Sequence, residues 1–410
     1  MTISYRWLCE YLPAPIPKEE LSTILTLIGL EVESLEMYEN FKGGLQGLVV
    51  GEVLELAQHP NADKLKLTKV NVGGERPLNI VCGASNVAVG QKVVVAQVGT
   101  TIYPKAGAPI TMKLAKIRGE ESEGMICAED EIGLSEDHAG IMVLDAAIPV
   151  GKPVAELYDY YQDWIYEIGL TPNRMDAMSH YGVAKDVCAY LTYHEAKAEP
   201  ISPFKQTPVV DAALKPFDVV IDNPEACARY SGILIEGVKV GPSPAWLKNK
   251  LQAIGARSIN NIVDITNFIL HETGQPLHAF DAAKIQGKKV VVKKCAQDTL
   301  FVSLDEKERK LTAQDLMICD TEKPLCIAGV FGGLNSGVSA TTNSIFLESA
   351  WFENVHIRKT SVHHGLRTDA ATRFEKGVDI ANTVKVLEKA ASMIQEIAGG
   401  KCSHVIDVYP

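Results

Sequence analysis

The 410-residue sequence has no CxxC pair among its nine cysteines, no basic leader and no long apolar run. Each absence excludes a class. Thiols scattered without paired spacing argue for reduced cysteines in a cytosol-like compartment and against a zinc site. Nothing approaches the roughly 18 consecutive apolar residues of a membrane span, and the opening MTISYRWLCEYL lacks a signal peptide's basic and apolar regions. A cytoplasmic protein without a membrane partner is expected. There is no fixed-period repeat and no low-complexity tract. Positive charge is in short supply too: 40 Lys and Arg face 51 Asp and Glu, so any nucleic-acid contact must be local. No Ser–His–Asp or Cys–His arrangement is evident, and without paired acids at ligand spacing no metal site is expected.

What is present is an ordinary globular composition, 46% hydrophobic and 22% charged, in a chain long enough for three or more domains. Residues 1–39 read as a strand and helices, with Leu21, Ile24, Leu25 and Ile28 on one face and Gly29 as a stop. From Leu48 to about Asp145 short strand-like runs alternate with Gly, Asn and Pro, the texture of a small barrel. Charge is segregated within it. Residues 63–119 hold nine Lys or Arg and two acids, whereas residues 120–151 hold nine acids and no Lys or Arg. A basic face suits phosphate-backbone binding, and solvated strand edges kept soluble by lysine would look the same. Residues 152–195 return to helical texture, with Asp176 a plausible cap. The proline-punctuated 196–217 reads as a linker. In the mixed stretch beyond, Ser243-Pro244 is expected to cap one helix and Asp379 the last.

Two stretches carry the chemistry. In NNIVDITNFILHETGQPLHAFD (Asn260–Asp281), Ile262, Ile265 and Ile269 recur at helical spacing, Gly274 stops the helix and Pro276 forbids its continuation. Thr266, Asn267 and His278 thereby gather near one rigid helix end, either as a ligand-facing cluster or as a satisfied core histidine beside a capped helix. In IFLESAWF, Glu348 lies within an apolar run. A carboxylate there is at least partly buried, as a structural ion-pair member or as an acceptor that reads a ligand. Cys319 and Cys326 have no base paired with them and read as core thiols. His59 reads as a turn residue, Arg373 and Glu375 as structural, and His363 and His364 as either phosphate-contacting or solvated.

HPNADKL and IVCGASN resemble the tRNA-binding barrel of the oligonucleotide/oligosaccharide-binding class. Taken with ISYRWLCEYL, TPNRMDAMSHYGVAKDV, SINNIVDITNFILHETGQPLHAFD, IAGVFGG and LESAWF…IRKTSVHHGLRTDAATRFEKGVD, the whole chain resembles the N-terminal half of the bacterial phenylalanyl-tRNA synthetase β subunit. The resemblance implies an α+β multidomain fold. An OB-fold barrel (40–151) is inserted in a small α/β domain (1–39 with 152–195), followed by the linker (196–217) and a mixed α/β editing module (218–400). Residues 401–410 begin a connection to further domains. It implies hydrolysis of tyrosine wrongly esterified to tRNA(Phe), since an apolar phenylalanine pocket cannot strongly reject an isostere that merely adds a hydroxyl. Glu348 would receive the tyrosine phenol. His278, Thr266 and Asn267 would stand at the ester and amino group, and Ala328, Gly329, Thr368 and Ala370 would line the pocket, where a bulky residue at 370 would fill it. Lys64, Lys66, Lys69, Lys113, Lys116 and Arg118 are the candidate tRNA contacts. Direct attack by water is expected, with His278 either taking the proton or only orienting groups. No cofactor is implied for this segment. ATP, Mg2+ and an α subunit in an α2β2 assembly are implied for the complete enzyme. The other readings are a non-catalytic tRNA-docking or assembly module and, less favoured by the abrupt end, a free-standing deacylase.

Overall fold

The computed structural model describes residues 1–194 and 196–409. The chain divides into two compact units, one of residues 38–162 and one of residues 1–37 with 163 onward. The expected limits at Glu195 and Pro410 lie outside the described residues.

The 38–162 unit is built on a six-stranded antiparallel sheet of Leu48–Gln58, Lys66–Asn71, Leu78–Cys82, Lys92–Gln97, Gly124–Ile126 and Val143–Leu144. A hydrogen bond from Glu123 N to Asn79 O, 2.8 Å, joins its two ends, so the sheet is nearly closed. Side chains alternate across a strand, and the run Val93–Ala96 feeds two cores. Val93 and Val95 pack with Val53, Val70 and Ile80, while Val94 and Ala96 pack with Leu48, Val50 and Ile102.

In the other unit lie Thr2–Ser4 and all but the end residues of Gln162–Gly169 and Glu31–Glu39, which form a three-stranded sheet. Two larger sheets carry the rest. One runs Asp218–Ile221, Lys289–Lys294, Leu316–Cys319, Pro324–Ile327 and Phe331–Gly332, its first pair parallel and the others antiparallel. The other is antiparallel and runs Leu277–Asp281, Ser344–Trp351, Arg229–Glu236 and Lys401–Cys402. One core runs from Trp7, Leu8, Leu25 and Val183 to Ile233, Ile265, Ile269, Leu347 and Leu387. Residues assigned by sequence to two separate domains therefore share a single buried interior, where each fully buried Ile or Leu contributes about 1.5–3 kcal/mol. The proline-rich 196–217 stretch is tied down rather than free. Ile201 N donates to Tyr11 O, Asp211 N donates to Cys402 O, and Phe217 is buried. Among the described residues no helix is long and apolar enough to cross a membrane.

Three caps differ from expectation. The His180–His194 helix is capped by Ser179, whose Oγ accepts from Gly182 N, while Asp176 pairs with Arg174. Ser243 gives its hydroxyl to Asp264, so Pro244 starts the Ala245–Ala253 helix without a side-chain cap. Asp379 caps the short 3-10 turn Ile380–Asn382, and Thr383–Ala398 follows with no side-chain cap of its own. In each case a stronger partner, or an intervening turn, captures the polar group.

Candidate functional site

Asn260 begins the Asn261–Thr273 helix by accepting from Ile262 N and Val263 N, and Gly274 ends it in the left-handed conformation. Ile262, Ile265 and Ile269 are wholly buried. That burial turns Val263, Thr266, Asn267 and Leu270 toward a cavity of about 490 Å³. Pro276 carries the chain into the Leu277–Asp281 strand, which forms a second wall; Val330–Gly332 and the Asp369–Lys376 helix supply the others. The lining is mainly apolar with a few polar groups among it, as in small-molecule sites.

In the strand register His278 lies directly opposite Glu348, so both project from the same face with Cβ atoms about 5 Å apart. Glu348 is 5% exposed. Its Oε2 accepts from the Tyr230 phenol at 2.6 Å, and Oε1 has no partner among the described residues and faces the cavity. Burial pushes its carboxyl up to about 7, and the Tyr230 hydrogen bond opposes the rise. Glu348 is therefore no ion-pair member. His278 Nε2 is buried without a partner, and the ring meets Phe280 edge to face. Burial pulls its imidazole down to about 4, so it is neutral at pH 7. A Cβ on Gly332 would come within 3.2 Å of its Cε1, so glycine there gives the ring room.

Six more expected site residues are clustered here or beside it. Thr266 donates to Val263 O and keeps its oxygen free to accept, whereas the Asn267 amide has no partner among the described residues. Thr368 caps the Asp369–Lys376 helix by accepting from Ala371 N and donates to Val330 O, while Ala370 lines the cavity. Two need correction. Ala328 does not line the cavity; it is buried in the core, with its N–H bonded to Leu316 O. Gly329 does line it, yet the missing Cβ spares protein rather than ligand. At φ +66° an added Cβ would strike Phe352 and Phe374 at 2.8 Å. Tyr230 was missed because nothing local links it to a residue 118 positions away. Cys326 also reaches the cavity, but burial and Glu348 keep its thiol protonated.

Curated relatives align along this whole chain. A phenylalanine–tRNA ligase beta subunit from Bacteroides thetaiotaomicron is 51% identical over 406 residues, covering 99% of this chain and 49% of that one. One from Porphyromonas gingivalis is 52% identical over 412 residues, covering 100% and 50%. The chain belongs to the phenylalanine–tRNA ligase beta-subunit family. It spans about half the length of the curated relatives it matches. Within it, a B3/4 domain model matches residues 226–399, which hold the cavity, and a tRNA binding domain model matches residues 48–153. An N-terminal fragment of the phenylalanyl-tRNA synthetase beta-subunit from Pyrococcus horikoshii matches 60% of this chain and 67% of that chain. Its 14% identity and TM-score of 0.33 are too low to argue from.

The segment matched by the tRNA binding domain model holds the six expected basic contacts. Lys64, Lys113, Lys116 and Arg118 are exposed. Lys69 pairs with Glu55 at 2.8 Å, and Lys66 turns toward Ser85 O and Val87 O. Folding sets parts of the acidic segment beside the basic one. The hairpin of Ala115–Ile117 and Glu120–Ser122 sets Lys116 opposite Glu121, and Glu123 holds Arg76. His59 accepts from Asn61 N at Nδ1 and contacts Ile117 O at Nε2, which ties it to the strand beside the Arg118 turn. His364 is turned inward to Asp315 and is no surface phosphate contact, whereas His363 is exposed. Among the described residues no group of three or more His, Cys, Asp or Glu forms a metal-ligand cluster.

Proposed function

We propose that the cavity is an editing site that hydrolyses the ester of tyrosine mischarged on tRNA(Phe), the phenol being read by Glu348. One observation carries this reading. A carboxyl group with a free oxygen stands in an apolar-walled cavity otherwise suited to a phenyl ring. Tyrosine offers Oε1 an O–H donor. Phenylalanine would bury that oxygen without a partner, which costs about 1–3 kcal/mol, more for a charged group. The correct product is thereby spared.

Asn267 and Thr266 accept and orient the amino-acid backbone, and water attacks the ester carbonyl. With its pKa near 4, His278 is a weak base at neutral pH. It orients groups at the ester more than it carries the proton, and help from such a group is at the low end of the usual 10²–10⁴-fold. The exposed Lys64, Lys113, Lys116 and Arg118 are the phosphate contacts of the barrel unit. Phenylalanine–tRNA ligation with ATP and Mg2+, an α subunit partner and a cytoplasmic location are proposed by analogy with the full-length relatives.

The test is deacylation of tyrosyl-tRNA(Phe) against phenylalanyl-tRNA(Phe) by this chain, with Glu348→Ala and His278→Ala alongside. Preferential release of tyrosine is expected. Glu348→Ala should abolish the preference, and His278→Ala should slow release without changing it. Absent hydrolysis together with salt-sensitive tRNA binding would favour a docking module instead.

A further inference from the structure

Tyr230 is fully buried on the Arg229–Glu236 strand, next to the strand that bears Glu348, and lies behind the cavity rather than in its lining. An ionised carboxylate is acceptor-only, so in the 2.6 Å contact the phenol donates. The terminal torsion of a glutamate is soft and roughly two-fold. Without an anchor either oxygen, or neither, would face the cavity.

We propose that Tyr230 is a positioning residue for Glu348, holding Oε2 from behind so that Oε1 alone is presented to a ligand hydroxyl. The inference rests on the editing reading of the cavity and names the residue that makes its discrimination work. The groups facing Glu348 are Tyr230, Cys227, Cys326 and, across the strands, His278. Burial keeps both thiols protonated and the imidazole neutral. Tyr230 is thus the one hydrogen-bond donor on Glu348 among the described residues. The carboxyl is poised at about 7 with that donor in place. Loss of the phenol hydroxyl leaves it protonated across the neutral range. A neutral carboxyl can still bond a phenol, but it is left unpartnered against a phenyl ring at much lower cost than a carboxylate. Discrimination, more than tyrosine binding, then suffers.

The experiment is an isotope-edited infrared titration of the Glu348 carboxyl in the wild-type chain and in Tyr230→Phe, with both tRNA esters assayed over the same pH range. The midpoint should rise by about one pH unit, a tenfold change in the ionised-to-protonated ratio. As the ionised fraction at pH 7 drops from about one half to about one tenth, the tyrosine-over-phenylalanine hydrolysis ratio should fall by about twofold to fivefold and recover as pH is raised past the new midpoint. In a Glu348→Ala background Tyr230→Phe should change the ratio no further. An unmoved midpoint in a folded Tyr230→Phe chain, or an equal loss of ratio in the Glu348→Ala background, would overturn the proposal. Should Tyr230→Phe not fold, 3-fluorotyrosine at position 230 keeps the shape and donates more strongly. It should move the midpoint down, and no movement overturns the proposal. The infrared titration contains no ester, so a wild-type chain that hydrolyses nothing would sink the editing reading while leaving the Tyr230 role measurable.

Discussion

Glu348 stands close to the point where a buried carboxyl is half ionised, and its effect on stability follows from that. Between its unfolded value near 4.5 and its folded value of about 7 the native state binds more protons than the unfolded chain, so stability falls as pH rises through this window. The difference amounts to about 3 kcal/mol. Glu348→Gln should therefore raise the melting temperature at pH 8 and change it little at pH 4.5. A gain of equal size at both pH values would refute a buried ionisation. Ala370 permits a steric test, because it lines the cavity without full burial. Ala370→Trp should suppress tyrosine-ester hydrolysis by tenfold or more while shifting the urea midpoint only slightly, since overpacking strains a full core and not an open cavity. The importance of Glu348 was legible in sequence because an acid inside IFLESAWF has few comfortable environments. Its phenol partner was not legible, since the 118-residue separation is closed only by pairing of two strands.

At the level of elements, the helix–strand unit that presents Thr266, Asn267 and His278 is held at its entry by Asp264. That carboxylate is wholly buried and accepts from Ser243 Oγ, Ser258 Oγ and Ile259 N. Asp264→Ala leaves three donors to find new partners and should lower the unfolding free energy by about 2–3 kcal/mol. The check is a urea titration in which the midpoint falls at unchanged slope. Because Ile259 and Asn260 form one edge of the cavity, ester hydrolysis should weaken too. The helix itself was readable from its isoleucine period, Asn260 cap and Gly274 stop. The caps assigned to Asp176, Ser243 and Asp379 went astray because a capping side chain is also a good partner for a nearby arginine, an aspartate or an intervening turn, and only the fold shows which is in reach.

Across the whole molecule three buried histidines set the response to acid. Burial pulls His180 down to about 3, and His271 and His278 down to about 4. Each favours the neutral ring in the native state, so its contribution is present above the unfolded value near 6.5 and is lost as pH falls toward 4. Melting temperature should drop steeply over that range, and His278→Asn should flatten the drop. Charge makes a second prediction. With Lys69 and Lys66 engaged, the expected contacts left exposed are Lys64, Lys113, Lys116 and Arg118, enough to neutralise about four phosphates. In filter binding, replacing those four by Ala should make the slope of log affinity for tRNA against log salt shallower by about 4, and Lys69→Ala should leave it unchanged.

The sequence by itself determined the family, the barrel-like and mixed α/β textures, and most of the polar set around the cavity. These are written in local patterns: period, stop residues, and polar side chains set within apolar runs. Only the tertiary structure decided that residues 1–37 and 163 onward share one core, that Ala328 faces inward, that parts of the acidic segment lie beside the basic one, and that Tyr230 anchors Glu348. Those facts depend on which strands pair and in what register, and a one-residue shift in register would turn every one of those side chains to the opposite face.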